Sequence, residues 1–427
     1  MSYKDLKQKI ITRRARIAII GIGYVGLPLA ISFSKKKYKG IIGIEKNKFI
    51  IKLLKSNKSH LSHISDNEVS KLKANFEITN KMKELTNVDI IIICLPTPLG
   101  KNLSPDMSFI SKCIKEIKKF LKPNQLLILE STVYPGATND VIIKKLKSKF
   151  KIGENFYIGY SPEREDPGNK NSNSSLMTKL VSGETKNCLE LTKILYKSVF
   201  KKIWPLSNIK TCEMTKLYEN IYRSVNIGMA NEMKIICNGL NMNIYEVIEA
   251  AKTKPFGFNA FYPGPGLGGH CIPIDPLFLT WVAKKNKIDT KFISLSNKIN
   301  RQMPIYIYKK FLKFKKKIKN YKILIVGLSY KKNIDDTRES PAIKFIDFLI
   351  KDGIKFEYYD PYIKKYKFNS KIIKSSNLNS IKKSNNYISI LMTDHDKIDF
   401  EFLKNHSKYI IDTRGRYKLD GEKIVPL

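Results

Sequence analysis

A chain of 427 residues with 42% hydrophobic side chains can build two or three cores. It holds no run near the ~18 apolar residues of a membrane span, and residues 1–16 lack the apolar stretch of a secretory signal, so a cytoplasmic location is expected. The formal charge of +40 does not point to nucleic acid, because 69 lysines spread along the chain carry it against nine arginines, the better residue for bidentate base and phosphate contacts.

Such a basic surface instead suits an anionic ligand such as a nucleotide. Ile17 to Ile20 is a short apolar run that predicts a strand. Gly21-Ile22-Gly23-Tyr24-Val25-Gly26 follows, then a helix through about Phe33, then a second strand at Ile41 to Ile44 that ends in Glu45. Continuous apolar runs return at Asp89–Leu95 and Leu126–Glu130, separated by amphipathic stretches such as Met107–Phe120. That alternation predicts a parallel sheet covered on both faces. From about Thr211 to Gly239 the pattern is helical, free of proline and closed by a glycine. At 1.5 Å per residue this helix is roughly 40 Å long, a candidate linker between domains and a candidate dimer surface. After the lysine-rich stretch Lys309–Lys319, strands are expected at Lys322–Gly327, Ile354–Asp360 and Tyr387–Met392. The chain therefore reads as α/β, with two Rossmann-like doubly wound domains joined by a central helical domain. The expected boundaries are 1–207, 208–305 and 306–427.

Gly21-x-Gly23-x-x-Gly26 closes a strand and opens a helix. Its glycines allow the tight turn, the approach of backbone to a pyrophosphate and the packing of helix on strand, while Tyr24 and Val25 complete the turn at the helix N-terminus. Glu45 follows at the expected distance, where a carboxylate hydrogen-bonds a ribose 2′-hydroxyl and repels a 2′-phosphate. NAD is thus favoured over NADP. Leu95-Pro96-Thr97-Pro98 and Glu130-Ser131-Thr132-Val133 end two further strands, the edge at which ligands of such sheets bind, so Pro96, Thr97, Ser131 and Thr132 are cofactor candidates.

Lys216 and Asn220 share one face of the long helix, a cation and an amide suited to an oxyanion if the reacting centre comes near, and otherwise a solvated face. Gly264-Pro265-Gly266-Leu267-Gly268-Gly269-His270-Cys271 places a thiol after a glycine-rich loop, with Asp275 four residues on. That is a layout for a nucleophile beside a base or water-orienting carboxylate. His270 is not read as its partner, since neighbours in an extended loop point apart. The other five cysteines read as small buried hydrophobes, and neither cysteines nor histidines show metal-ligand spacing.

Together the motifs GIGYVGLPLA, CLPTPL, ESTVYPG, SPEREDPGN, EMTKLYENIYRSVNI, GPGLGGHCIPIDP and GLSYKKNIDDTRESPA resemble the UDP-glucose/GDP-mannose dehydrogenase family over about residues 16–416. The resemblance implies NAD-dependent four-electron oxidation of a nucleotide sugar at C6, from primary alcohol to carboxylate, through a thiohemiacetal and a thioester on Cys271. It implies that Lys216 stabilises oxyanions and that Asn220 and Asp275 hold a water. It makes Glu163 a substrate-side candidate for activating the hydrolytic water, next to Arg164 on the substrate. Lys331 resembles a substrate-contacting lysine, Arg338 an NAD-contacting arginine, and Phe261, Tyr262 and Gly268 a loop over the UDP-sugar. A homodimer, no metal and no membrane span are expected by the same likeness.

Three departures refine this. Glu45 stands where many relatives have Asp, which keeps the carboxylate. Thr253-Lys254-Pro255-Phe256-Gly257 stands where the UDP-glucose and N-acetylmannosamine branches carry an arginine. Glu165 and Asp166, beside Pro167, displace the acid of the UDP-glucose branch. The resemblance therefore turns toward UDP-N-acetylglucosamine or UDP-N-acetylgalactosamine, the former first, with UDP-N-acetylmannosamine and UDP-glucose as rival substrates of the same chemistry and a uronic acid for capsule, O-antigen or other surface polysaccharide as product. A one-step hydroxyacid-type dehydrogenase is the rival of similar plan, and a basic nucleic-acid-binding protein the remote non-enzymatic one.

Overall fold

A computed structural model describes residues 2–61, 63–72, 74–164, 177–316, 320–382, 386–418 and 421–426. Glu165, Asp166 and Pro167 lie outside these. The chain forms two compact units, Met1–Glu219 with Leu277–Lys287, and Asn220–Pro276 with Ile288–Leu427.

The first unit is built on eight strands: β1 (Arg16–Ile20), β2 (Gly40–Ile44), β3 (Phe76–Thr79), β4 (Ile90–Ile93), β5 (Leu126–Leu129), β6 (Tyr157–Tyr160), β7 (Lys179–Gly183) and β8 (Ile203–Pro205). Their order is β3-β2-β1-β4-β5-β6-β7-β8, parallel throughout except for β6 against β7. β1 sits between β2 and β4, with Ile20 opposite Ile44 and Ile93. The order reverses there, and the crevice beyond the carboxyl ends of β1 and β4 is where such sheets bind ligands. All four residues of β4, Ile90–Ile93, are fully buried, as a central strand covered on both faces demands.

The second unit holds a five-stranded parallel sheet of β9 (Lys322–Val326), β10 (Glu357–Tyr359), β13 (Tyr387–Leu391), β14 (Tyr409–Asp412) and β15 (Ile424–Pro426), in the order β10-β9-β13-β14-β15. A separate hairpin pairs β11 (Lys365–Phe368) with β12 (Lys371–Lys374). The helix Pro341–Lys351 buries Phe345, Ile346 and Leu349 on this sheet, with Ser340 as its side-chain cap and Pro341 at its first position.

The long helix spans Ile209–Gly239 and contributes to both units. It starts before Thr211 because Asn208 Oδ1 accepts the Thr211 amide. The lysines after Lys309 do not break the chain; the helix Lys291–Lys315 runs on through most of them. Among the described residues, no helix is long and apolar enough to cross a membrane. The expected strand at Ile354–Asp360 shortens to β10: the Ile354 amide is still tied to the Leu349 carbonyl of the preceding helix, and the Asp360 carboxylate turns to the loop amides of Leu328, Tyr362 and Ile363.

Candidate active site

In the first unit the glycine turn leaves β1 at Gly21, whose φ of +91° suits only glycine, and whose added Cβ would lie 2.6 Å from the Cys94 carbonyl. At Gly26 a Cβ would lie 2.0 Å from the Gly21 carbonyl, so the helix packs on the turn only without one. At Gly23 a Cβ would meet nothing within 4 Å: the space in front of the turn is open. The helix Gly26–Lys35 has Val25 at its cap and no side-chain hydrogen bond there, so its amides point outward unclaimed by a capping side chain. Tyr24 stacks on His63 with ring centroids 5.6 Å apart. Glu45 Oε2 accepts the Ile22 amide at 3.1 Å, and Oε1 accepts those of Lys46 and Asn47. The carboxylate is thereby fixed beside the turn. An open cradle, an uncapped helix start and a fixed carboxylate fit the pyrophosphate and ribose of NAD.

At the ends of β4 and β5 two hydroxyls donate to backbone carbonyls. Thr97 Oγ1 donates to the Thr132 carbonyl at 2.7 Å and Ser131 Oγ to the Leu95 carbonyl at 2.6 Å. These bonds lace two neighbouring turns together, and Thr97 is buried. Pro96 and Thr132 belong to the same pair of turns. Glu163 follows β6: its Oε1 accepts the Arg164 amide, and its Oε2 lies 3.5 Å from Lys179 Nζ. The Arg164 guanidinium grips Glu219 through Nη2 at 2.6 Å and Nε at 3.3 Å, and donates to the Thr178 carbonyl. Lys216, one turn earlier on the long helix than Asn220, is 7% exposed and Asn220 is 1% exposed. Neither is on a solvated face.

In the second unit the glycine loop delivers an exposed Cys271. The Cys271 carbonyl accepts the amides of Ile274 and Asp275 at the start of the helix Asp275–Lys285. Asp275, 2% exposed, takes a hydrogen bond from Asn220 Nδ2, and Asn220 Oδ1 takes one from Arg223. Arg223 was missed by the sequence reading, although three residues from Asn220 on a helix puts it on the same face. His270 is pushed below its ordinary value by burial and by the Arg338 charge, against an opposing pull from Asp336. It is therefore neutral near pH 7 and offers the thiol no cation.

The loop lies against the segment that follows β9. The Gly269 amide donates to the Arg338 carbonyl at 2.8 Å, and a Cβ on Gly268 would fall 2.4 Å from Tyr330 Cβ. Arg338 is exposed and forked onto Asp336. Half-buried Lys331 has its carbonyl held by Ser329 Oγ at 2.7 Å. Phe261 stands edge-on to Tyr222, and the hydroxyl of exposed Tyr262 donates to Glu249 Oε1 at 2.6 Å. Among the described residues no group of three or more His, Cys, Asp or Glu is placed to hold a metal.

Three family models match the chain end to end. The NAD binding domain covers residues 15–200, the central domain 210–302 and the UDP binding domain 324–419. The chain belongs to the UDP-glucose/GDP-mannose dehydrogenase family. Its three-domain α/β architecture is that of the family, and it is an oxidoreductase, an NAD-dependent UDP-sugar dehydrogenase. It is 34% identical over 419 residues to the UDP-N-acetyl-D-mannosamine dehydrogenase of Methanocaldococcus jannaschii, covering 94% of this chain and 92% of that one. It is 33% identical over 355 residues to the UDP-N-acetyl-D-glucosamine 6-dehydrogenase of Pseudomonas aeruginosa, covering 82% and 83%. The structure of UDP-D-ManNAc dehydrogenase from Pyrococcus horikoshii superposes with a TM-score of 0.82 at 31% identity, over 93% of this chain and 95% of that one.

Proposed function

We propose that the protein oxidises C6 of a UDP-N-acetylhexosamine, with UDP-N-acetyl-D-glucosamine as the first choice, to the uronate, for surface polysaccharide such as capsule or O-antigen. Two hydrides leave C6, each accepted by an NAD⁺. After the first, the Cys271 thiolate adds to the aldehyde carbon; the thiohemiacetal gives up the second hydride and becomes a thioester, and water releases the acid. An exposed thiol at the end of a glycine loop, one turn from a buried Asp275 that Asn220 holds, is the observation that carries this reading. Lys216 is assigned to the oxyanions, Asn220 and Asp275 to the water that serves as base, and Glu163 to the water that cleaves the thioester. Arg164, Phe261, Tyr262, Gly268 and Lys331 are assigned to the substrate, and Arg338 to NAD. The domain limits 1–207, 208–305 and 306–427 are part of the same proposal.

Thr253–Gly257, just past the helix Ile244–Lys252, offers lysine, proline and an exposed Phe256 and no arginine, which supports an N-acetylglucosamine or N-acetylgalactosamine substrate. The likeness to mannosamine dehydrogenases at 34% and 31% identity favours UDP-N-acetylmannosamine as the second reading. A panel of UDP-hexoses and UDP-N-acetylhexosamines, read by NADH release, separates them. The best substrate is expected to yield two NADH per sugar, and Cys271→Ala to abolish that yield. One NADH per substrate with indifference to Cys271→Ala would instead mark a one-step dehydrogenase. A homodimer is proposed on the stripe Tyr222, Met229, Met233, Ile236 and Leu240, all exposed on one face of the long helix.

A further inference from the structure

Lys179 is among the deepest charges of the first unit, and nothing above gives it a task. It is 3% exposed at the start of β7. Its Nζ lies 2.8 Å from Glu130 Oε2, 3.1 Å from the Pro162 carbonyl and 3.5 Å from Glu163 Oε2. The rings of Tyr196 and Phe200 each lie 5.3 Å from it. Glu130, 1% exposed, also takes a hydrogen bond from the Tyr196 hydroxyl. The segment that carries Glu163 is tied to β7 a second time, by Ser161 Oγ donating to the Leu180 carbonyl at 2.7 Å.

A purely structural buried lysine needs one carboxylate, and Glu130 supplies it. Here a second one, Glu163, converges on the same ammonium. The two differ in depth, with Glu130's side chain fully buried and Glu163's 20% exposed. Burial pushes Glu130 up to about 7 even against the opposing pull of Lys179. Glu130 therefore ionises less readily than an ordinary carboxylate, and part of the lysine charge remains for Glu163.

We propose that Lys179 is a positioning residue for Glu163, holding its carboxylate in place so that it can take a proton from the water that releases the product. This rests on the role given to Glu163 above. In that step the water oxygen bonds the thioester carbonyl carbon and one water proton passes to Glu163. The C–S bond then breaks with its electron pair on Sγ of Cys271, and the acid formed ionises. Lys179 thus acts on hydrolysis and leaves both hydride transfers alone.

The test is rapid-quench kinetics with intact-protein mass, using the nucleotide sugar that wild type turns over. Lys179→Met is expected to release two NADH per site in a burst near the wild-type rate. Steady-state turnover then slows about a hundredfold, the scale of a lost general base, and the protein carries the acyl adduct. Lys179→Arg restores much of the turnover, and Lys179→Met adds nothing further to Glu163→Gln. Because a lone buried carboxylate can unfold the single variant, Glu130→Gln/Lys179→Met removes both members of the pair and is expected to accumulate the same adduct. Glu130→Gln alone, which leaves Lys179 to Glu163, does not. Variants that slow the hydride steps and build no adduct, or a folded double variant with wild-type turnover, overturn the proposal. If wild type itself releases fewer than two NADH per sugar, the reading of Cys271 and Glu163 fails, and the role of Lys179 falls with it.

Discussion

Asn220 donates its side-chain amide to Asp275, and the two are 1% and 2% exposed. Arg223 holds the other end of that amide, so the orientation of Asn220 is set from both sides. Its Nδ2 must face the carboxylate, because Arg223 has only donors to offer Oδ1.

Asn220→Ala strips a donor from a buried carboxylate. The expected cost is about 1–3 kcal/mol of stability, the scale of a lost hydrogen bond to a charged group, with a larger loss in kcat than in KM. Denaturant unfolding and initial rates check this. Arg223→Met lets the amide turn over. Roughly a tenfold fall in kcat/KM with an unchanged unfolding midpoint is expected.

Glu45 is fixed by the amides of Ile22, Lys46 and Asn47. Glu45→Ala removes a charged acceptor worth about 1.5–3 kcal/mol, so NAD affinity is expected to fall roughly tenfold or more. The preference for NAD over NADP should narrow at the same time. Calorimetric titration of each cofactor, without sugar, measures both.

Gly268→Ala places a methyl 2.4 Å from Tyr330 Cβ and 3.0 Å from the Glu339 carbonyl. The loop must then lift off the segment that carries Lys331. The expected result is weaker UDP binding in titration and a raised KM for the sugar nucleotide.

Lys234 gives a pH signature. It is 1% exposed, donates to the Thr413 carbonyl at 3.2 Å, and is pushed by burial from 10.5 down to about 8, against the pull of Asp412. The folded state therefore releases this proton more readily than the unfolded chain. Below about pH 8 both states keep it and the full penalty of the buried charge is present; the penalty fades as pH rises toward the unfolded value of 10.5. Lys234→Met is expected to be the more stable protein at pH 7, by up to about 3 kcal/mol at 1.36 kcal/mol per pKa unit. That advantage should shrink between pH 8 and 10.5. Chemical unfolding of both proteins across that range checks the sign.

The glycine turn with Glu45 was legible in the sequence because its signals are local: a strand, a tight turn, a helix and an acid at a fixed distance. The Cys271 loop was legible for the same reason. The hydroxyls of Thr97 and Ser131 were not, because their partners, Thr132 and Leu95, come from the neighbouring strand end and only the β4–β5 pairing brings them there. Lys179 was hidden more thoroughly. One lysine among 69 gives no sign of burial, and its partner Glu130 is 49 residues away across an antiparallel edge of an otherwise parallel sheet. Arg223 was within reach of helical spacing alone.

The contact between the glycine loop and Tyr330 also bears on how such a protein can diversify. At Gly268 no side chain larger than hydrogen fits, and at Gly269 the φ of +85° and the Tyr330 ring at 2.7 Å close the position as well. Mutational drift cannot add a side chain there without displacing the loop from Tyr330. Variation can enter instead at exposed positions such as Phe256, while the thiol of Cys271 keeps its address.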